Sequence, residues 1–245
     1  MSPDPSLSVV LPTLEERAAL AQLDPPLRAA LAPYDHEIIV VDDDSSDGTA
    51  ALVRSWESGG RYRLLLRKGR RGLATAVLEG IAFARAPVLL VMDADGSHRP
   101  AAIPSIVDPV LSGEAEFVLG SRWVPGGRSP GLSVARRAVS WGAETLAHPL
   151  TSVRDPMSGF FAFRREILDR APLRPTGYKI GLEILAKCEP HPLLEVPIDF
   201  GPRLAGESKL DEAQYVGYLR HLLRLYGYRW WGRRPGRTRP PRDRA

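Results

Sequence analysis

Short apolar runs alternate with longer mixed segments along the first two thirds of the chain. Leu7 to Leu11 (LSVVL), Glu37 to Val41 (EIIVV), Tyr62 to Leu66 (YRLLL) and Pro87 to Met92 (PVLLVM) have the length and composition of buried strands. Between them, Glu15 to Leu31, Gly48 to Trp56 and Leu73 to Ala84 read as helices. Pro25 and Pro26 predict a break in the first helix. Asp47 is the expected N-cap of the second. The strands are apolar throughout rather than alternating, so both of their faces must be covered. The rhythm therefore predicts an α/β fold, a mostly parallel central sheet flanked by helices. Further strands are expected near Glu116 to Leu119, Gly159 to Phe163 and Leu194 to Phe200. Further helices are expected near Val134 to Ala147 and Gly181 to Cys188. Glycine- and proline-rich loops fall at Val124 to Gly131 and Gly201 to Lys209, as lids or as plain connections. No period of roughly 20–50 residues repeats, which argues against a solenoid.

The last part differs. Val216, Leu219, Leu222, Leu223, Tyr226 and Trp230 recur at helical spacing, with Arg220 and Arg224 between them. This predicts an amphipathic helix from Asp211 to Trp231, ending in the aromatic pair Trp230 and Trp231. The expected organisation is one catalytic domain over residues 1–210, followed by a helix and an arginine-rich tail over 211–245.

Charge sharpens that division. The net charge is +4, but nine arginines and one acid, Asp243, lie from Arg220 to the end. The body before them leans acidic. A basic tail meets an anionic surface, either membrane or nucleic acid, or is simply solvated. The bulk composition, 44% hydrophobic and 25% charged, is that of a globular protein. A chain of 245 residues fits one large α/β domain. The single cysteine, Cys188, excludes an intrachain disulfide and a zinc site of several cysteines. The longest apolar run, Ala86 to Met92, is too short for a bilayer span. The start MSPDPS lacks the pattern of a signal peptide.

Ligands of open parallel sheets bind beyond the carboxyl ends of the strands. Here those ends are Pro12 to Glu16, Asp42 to Asp44, Arg67 to Arg71 and Asp93 to His98, rich in carboxylates and arginines. In MDADGSH, Asp93 and Asp95 fall on one side of an extended chain. Two carboxylates so close repel each other, and a hard divalent cation such as Mg²⁺ or Mn²⁺ relieves the repulsion while bridging to a diphosphate. The competing reading makes Asp95 a cap for a helix starting near Pro100. In VVDDDSSDGT, Asp42 is expected to read a nucleobase, and Asp44 to Gly48 to build a turn. No Walker-type loop and no G-x-G-x-x-G follows a strand. The five histidines form no H-E-x-x-H, and G-x-S-x-G is absent.

Taken in order, eight strings resemble the inverting family-two glycosyltransferases of the polyprenol- or dolichol-phosphate sugar synthase type. They are LPTLEE with VVDDDSSDGT, RKGRRGLATAVLEG, MDADGSHRP, GSRWVPGG, DPMSGFFAFRR, GYKIGLEILAK and IDFGPRLAGESKL. The resemblance runs from Leu7 to about Leu210. It implies a single GT-A, Rossmann-like domain and a divalent metal, Mg²⁺ or Mn²⁺. It also implies transfer of a hexose, mannose favoured, from a nucleotide-diphosphate sugar (GDP-mannose favoured) to a polyprenyl monophosphate. By match, Pro12, Leu14, Glu16, Val40, Asp42 and Arg70 would line the nucleotide. Asp93, Ala94, Asp95 and Ser97 would form the metal and diphosphate site. Arg122, Arg203 and Lys209 would hold donor or acceptor phosphates. Ser97 stands where the family usually has a metal-binding Gln, Leu14 where it has an aromatic, Ala74 where it has a Gly, and Leu132 near a usual Trp.

A phosphate acceptor is already ionised and needs no general base, which agrees with the lack of an obvious catalytic histidine. A lipid acceptor also gives the tail a purpose, as a contact with the cytoplasmic face of a membrane. Three other readings remain open from the residues alone. One is transfer to a saccharide or small molecule, with Glu183 or Asp155 as base. Another is nucleic-acid binding by the tail, which the acidic-leaning body disfavours. The third is a catalytically silent relative.

Overall fold

The computed structural model describes residues 4–130, 142–174, 178–205 and 212–232. The seven strands are β1 (Leu7–Thr13), β2 (His36–Asp42), β3 (Tyr62–Leu66), β4 (Val88–Val91), β5 (Phe117–Ser121), β6 (Phe161–Arg164) and β7 (Leu193–Pro197). They form one sheet in the order β3-β2-β1-β4-β6-β5-β7. Every pairing is parallel except those of β6, which runs against both β4 and β5. The expected strands are thus present, and the reversed direction of β6 is new. Reversal brings the residues before β6 to the same edge as the carboxyl end of β4, because Val91 pairs with Phe161.

The helices are α1 (Arg17–Leu31), α2 (Thr49–Glu57), α3 (Leu73–Phe83), α4 (Ile103–Leu111), α5 (Ile180–Cys188) and α6 (Glu212–Gly227). Residues 142–147 are also helical. The rest of the helix expected from Val134 lies outside the described residues. Helices cover both faces, and alternate strand residues divide between the two layers. Val9 and Leu11 pack with Leu20, Leu23 and Leu27 of α1, and with Ile103 and Ile106 of α4. Val10 packs with Val77 and Ile81 of α3. A Cβ on Gly80 would lie 2.6 Å from Val10 and 2.8 Å from Val41, so only glycine lets α3 approach the sheet this closely.

Two expectations are corrected. Helix α1 runs unbroken through Pro25 and Pro26. Leu20, Leu23, Leu27 and Leu31 are each at most 1% exposed. Burying four leucines, at about 1.5–3 kcal/mol each, offsets two prolines at about 3 kcal/mol each. Second, the N-cap position of α2 is Gly48, at φ 90°, rather than Asp47. Asp47 instead accepts the Thr49 N–H at 2.9 Å and the Arg17 N–H at 2.8 Å, steadying the starts of two helices at once.

Helix α6 docks on α5 through a face that shares only Leu222 and Tyr226 with the stripe its sequence suggests. Tyr218, Leu222 and Leu225 are buried against Ala147, Leu150, Leu182 and Ala186. His221 is buried with them, 3.3 Å from the Glu183 carboxylate, which also pairs with Lys187. Burial alone would push Glu183 up, but His221, Lys187 and the Arg174 N–H bring it down to about 2. A carboxyl depressed from its ordinary value stabilises the fold above about pH 4.5 and loses that contribution as pH falls towards 2. The stake is roughly 3 kcal/mol. We expect Glu183→Gln to flatten the acid limb of urea stability between about pH 5 and pH 2. An unchanged limb would remove Glu183 from the acid response.

Candidate active site

The carboxyl ends of β1, β2 and β4 converge with the segment after β7. Asp93 and Asp95 follow β4 directly. The Asp93 side chain is about a third exposed, whereas Asp95 is buried. Burial first, and then the neighbouring Asp95, hold the Asp93 carboxyl above the ordinary carboxylate range. His98 braces this turn. Its Nδ1 accepts the Asp93 N–H at 3.0 Å, and its ring stacks on Phe160 at 4.9 Å. Burial lowers the His98 pKa, in keeping with a neutral, accepting ring. Gly159 closes the back of the turn, where a Cβ would stand 3.3 Å from Asp93 Oδ2.

Asp95 does not cap a helix. Its Oδ1 accepts the Ser97 N–H at 2.9 Å and the Ser97 hydroxyl at 2.6 Å, while its Oδ2 lies 3.2 Å from Arg203. Ser97, expected as a metal ligand, is 1% exposed and spends its hydroxyl proton on Asp95. That bond fixes the orientation of the Asp95 carboxylate, and Asp93 and Asp95 are the two carboxylates of this turn. Among the described residues no group of three or more His, Cys, Asp or Glu side chains is arranged around one metal position. Two carboxylates that attract Arg203 and the field of Lys179 nevertheless suit a hard divalent ion. Its remaining ligands would come from phosphate and water.

Lys179 is held just before α5 and donates to the Met157 carbonyl. Burial pulls its pKa down to about 8, and Asp93 opposes the fall. A lone lysine ahead of an apolar helix was the available signal, in GYKIGL.

The donor-side residues separate. Asp42 is fully buried. It accepts Thr13 Oγ1 at 3.0 Å, Ser45 Oγ at 2.6 Å and the Ser45 N–H at 3.0 Å. These bonds order its own turn, and the carboxylate expected to read a nucleobase has no exposed surface. Val40 sits inside the sheet with its side chain in the core. Pro12 is buried opposite Val41, and Ala94 is a core residue. Leu14 and Glu16 are half-buried at the edge. Arg70 is exposed and pairs with Glu79 at 3.1 Å. Beside them, Asp43 and Arg67 form a buried ion pair at 2.6 Å that ties β2, β3 and the start of α3 together.

Arg122 is also rearranged. It gives Asp155 three bonds, from its N–H at 3.0 Å, Nε at 2.8 Å and Nη2 at 2.7 Å. Asp155 is fully buried, and Glu144 lies 3.4 Å from the same guanidinium. The guanidinium expected at a phosphate is held in this buried pair and lies over the ring of Phe200. Asp155 and Glu183 are both neutralised by cations, so neither is poised as a base. Arg122 borders an open groove of about 790 Å³ that runs past Trp123, Arg128, Arg154 and Asp199. Lys209 lies outside the described residues.

Carboxylates gather at the carboxyl edge of one mixed sheet, where its strand order changes sides. Solved structures with this fold include glucosyl-3-phosphoglycerate synthase from Mycobacterium tuberculosis in complex with Mn²⁺, UDP and glucosyl-3-phosphoglycerate. The TM-score is 0.64 at 23% identity, covering 92% of this chain and 80% of that one. The same synthase with Mn²⁺, UDP-glucose and phosphoglyceric acid has a TM-score of 0.65 at 24% identity, over 92% and 79% of the two chains. At such identities the likeness is one of fold.

Residues 8–171 match the glycosyl transferase family 2 model, and the chain belongs to that family. Its relatives include dolichol-phosphate mannosyltransferases. That of Pyrococcus furiosus is 38% identical over 92% of this chain and 64% of its own length. That of Mycosarcoma maydis is 39% identical over 94% and 82%. That of Saccharomyces cerevisiae is 36% identical over 91% and 88%. This chain thus spans less than two thirds of the archaeal relative.

Proposed function

We propose that this glycosyltransferase moves a hexose, with mannose favoured, from a nucleotide-diphosphate sugar to the phosphate of a polyprenyl lipid, with inversion. The observation that carries the reading is the pair Asp93 and Asp95, set against Arg203 while both candidate bases are tied up in ion pairs. A site whose two candidate bases are both ion-paired suits an acceptor that is already an anion. The names of the relatives favour dolichol-phosphate and mannose.

In this reading Asp93 and Asp95 hold the divalent metal, which when bound offsets charge on the leaving diphosphate. Ser97 keeps Asp95 turned to its task. Leu14, Glu16 and Arg70 border the nucleotide, with Asp42 ordering the turn beneath it. Arg203 and Lys209 meet phosphate oxygens, arginine offering paired N–H donors. Arg122 acts through Asp155 by fixing the loop at the end of β5. The test is a donor screen with GDP-mannose, GDP-glucose and UDP-glucose, polyprenyl phosphate or soluble sugars as acceptor, and Mg²⁺ or Mn²⁺. Labelled lipid from GDP-mannose is expected. Label on soluble sugar alone would replace this acceptor with a hydroxyl.

The acceptor places the enzyme at a membrane surface, favoured as the cytoplasmic face. No helix among the described residues is long and apolar enough to cross a membrane. The outward side of α6 instead exposes Val216, Leu219 and Leu223, followed by Trp230 and Trp231, with Leu223 70% and Trp231 83% exposed. Apolar side chains beside arginines suit the interface of an anionic leaflet, where each basic residue contributes about 1 kcal/mol. The arginine-rich residues 233–245 lie outside the described residues. Removing residues after Gly227 is expected to weaken binding to anionic vesicles severalfold in a sedimentation assay. Equal binding would exclude this surface.

A further inference from the structure

We infer that Arg203 is an exchangeable counter-cation of Asp95, which yields its place to the divalent metal as the donor diphosphate arrives. The inference rests on the metal reading of Asp93 and Asp95 proposed above. It concerns the order and coupling of binding, which that reading leaves open.

Asp95 has one oxygen to spare. Ser97 takes Oδ1 with both its N–H and its hydroxyl. Oδ2 faces Arg203 Nη2 at 3.2 Å, and Arg203 Nη1 reaches Glu16 at 3.6 Å. The guanidinium therefore spans the ends of β1 and β4. Its side chain is 33% exposed, against 7% for Asp95 and 11% for Glu16. A divalent ion held by Asp95 would take Oδ2, the same oxygen, at closer range than the guanidinium. Two cations on one oxygen repel, so each weakens the hold of the other.

The backbone decides which part can move. The Gly201 N–H donates to the Ser97 carbonyl at 2.9 Å, and the Leu204 N–H to the Asp95 carbonyl at 2.8 Å. Phe200 bridges to His98. Leu204 packs so closely over Gly96 that a Cβ there would lie 2.3 Å from it. The segment carrying Arg203 is thus stitched to the Asp93–Ser97 turn on both sides of the arginine. Only the long, partly exposed side chain is left to swing. A diphosphate gives that side chain a new anionic partner while bridging to the metal. Metal and nucleotide should then bind cooperatively, because each removes the obstacle to the other.

Calorimetric Mn²⁺ titration of the full chain, with and without saturating GDP or UDP, tests the exchange. Wild type is expected to bind Mn²⁺ at least tenfold more tightly with nucleotide present. Arg203→Gln is expected to bind Mn²⁺ alone about tenfold more tightly than wild type and to lose most of the nucleotide-dependent gain. Arg203→Lys, a charge without the fork, should fall between them. Thermal midpoints establish that each variant is folded. Equal or weaker Mn²⁺ binding by Arg203→Gln, with binding still dependent on Asp95, would overturn the exchange and leave the metal site standing. Mn²⁺ binding that Asp95→Asn does not alter, or no Mn²⁺ binding at all, would overturn the metal reading and the exchange with it.

Discussion

Asp95→Asn should reduce glycosyl transfer on the order of 10³-fold or more, with the fold intact. Charge stabilisation at a leaving diphosphate has no substitute once a carboxylate ligand is lost, and single electrostatic contacts of this kind are worth about 10²–10³. Asparagine keeps an oxygen for the Ser97 N–H and hydroxyl, which now hold Oδ1. Arg203 keeps its contact with Glu16. The turn should therefore survive, and the circular dichroism and thermal midpoint should stay near those of wild type. Transfer measured with excess Mn²⁺ and Mg²⁺ checks the effect. Undiminished turnover would remove Asp95 from the metal site.

The second large effect concerns stability. Asp155→Ala should cost about 3–5 kcal/mol in urea unfolding, because it strands a buried guanidinium. Asp155 has no exposed surface, the Arg122 side chain is 10% exposed, and three bonds connect them. Arg122→Lys should fail to rescue activity, since a point ammonium cannot make the two parallel side-chain contacts. The double change Arg122→Met with Asp155→Leu should recover most of the stability, as apolar replacement of a buried pair often does, yet should remain poorly active. A loss below about 1 kcal/mol for Asp155→Ala would mean that the pair is solvated.

The α/β class, the strands and most helices were legible in the sequence because their signals are local. A run such as LSVVL or PVLLVM has one stable home, in the middle of a sheet. The Asp93 and Asp95 pair was legible for the same reason, since two residues of extended chain set their spacing. The direction of β6 was not. Four residues, FAFR, carry no sign of which way they run, and pairing with β4 and β5 decides it. The unbroken α1 was hidden because local propensity counts two prolines, while the leucines that outweigh them act only against the sheet.

The same distinction governs the site and the terminal helix. Sequence named Asp42, Ser97 and Arg122 by the strings in which they stand. Only the folded chain shows that each one's hydrogen-bonding groups turn towards a neighbour, Ser45, Asp95 and Asp155 respectively. Helix α6 has apolar residues on more than one side. Periodicity groups Val216, Leu219, Leu222, Leu223, Tyr226 and Trp230, but of these only Leu222 and Tyr226 join the docked face, with Tyr218 and Leu225, while Val216, Leu219, Leu223 and Trp230 are exposed. Sequence by itself determined which segments are apolar, where the strands end and which charged groups gather at those ends. Tertiary structure decided which charges pair, because an ion pair or a docked face depends on a partner that local spacing does not specify.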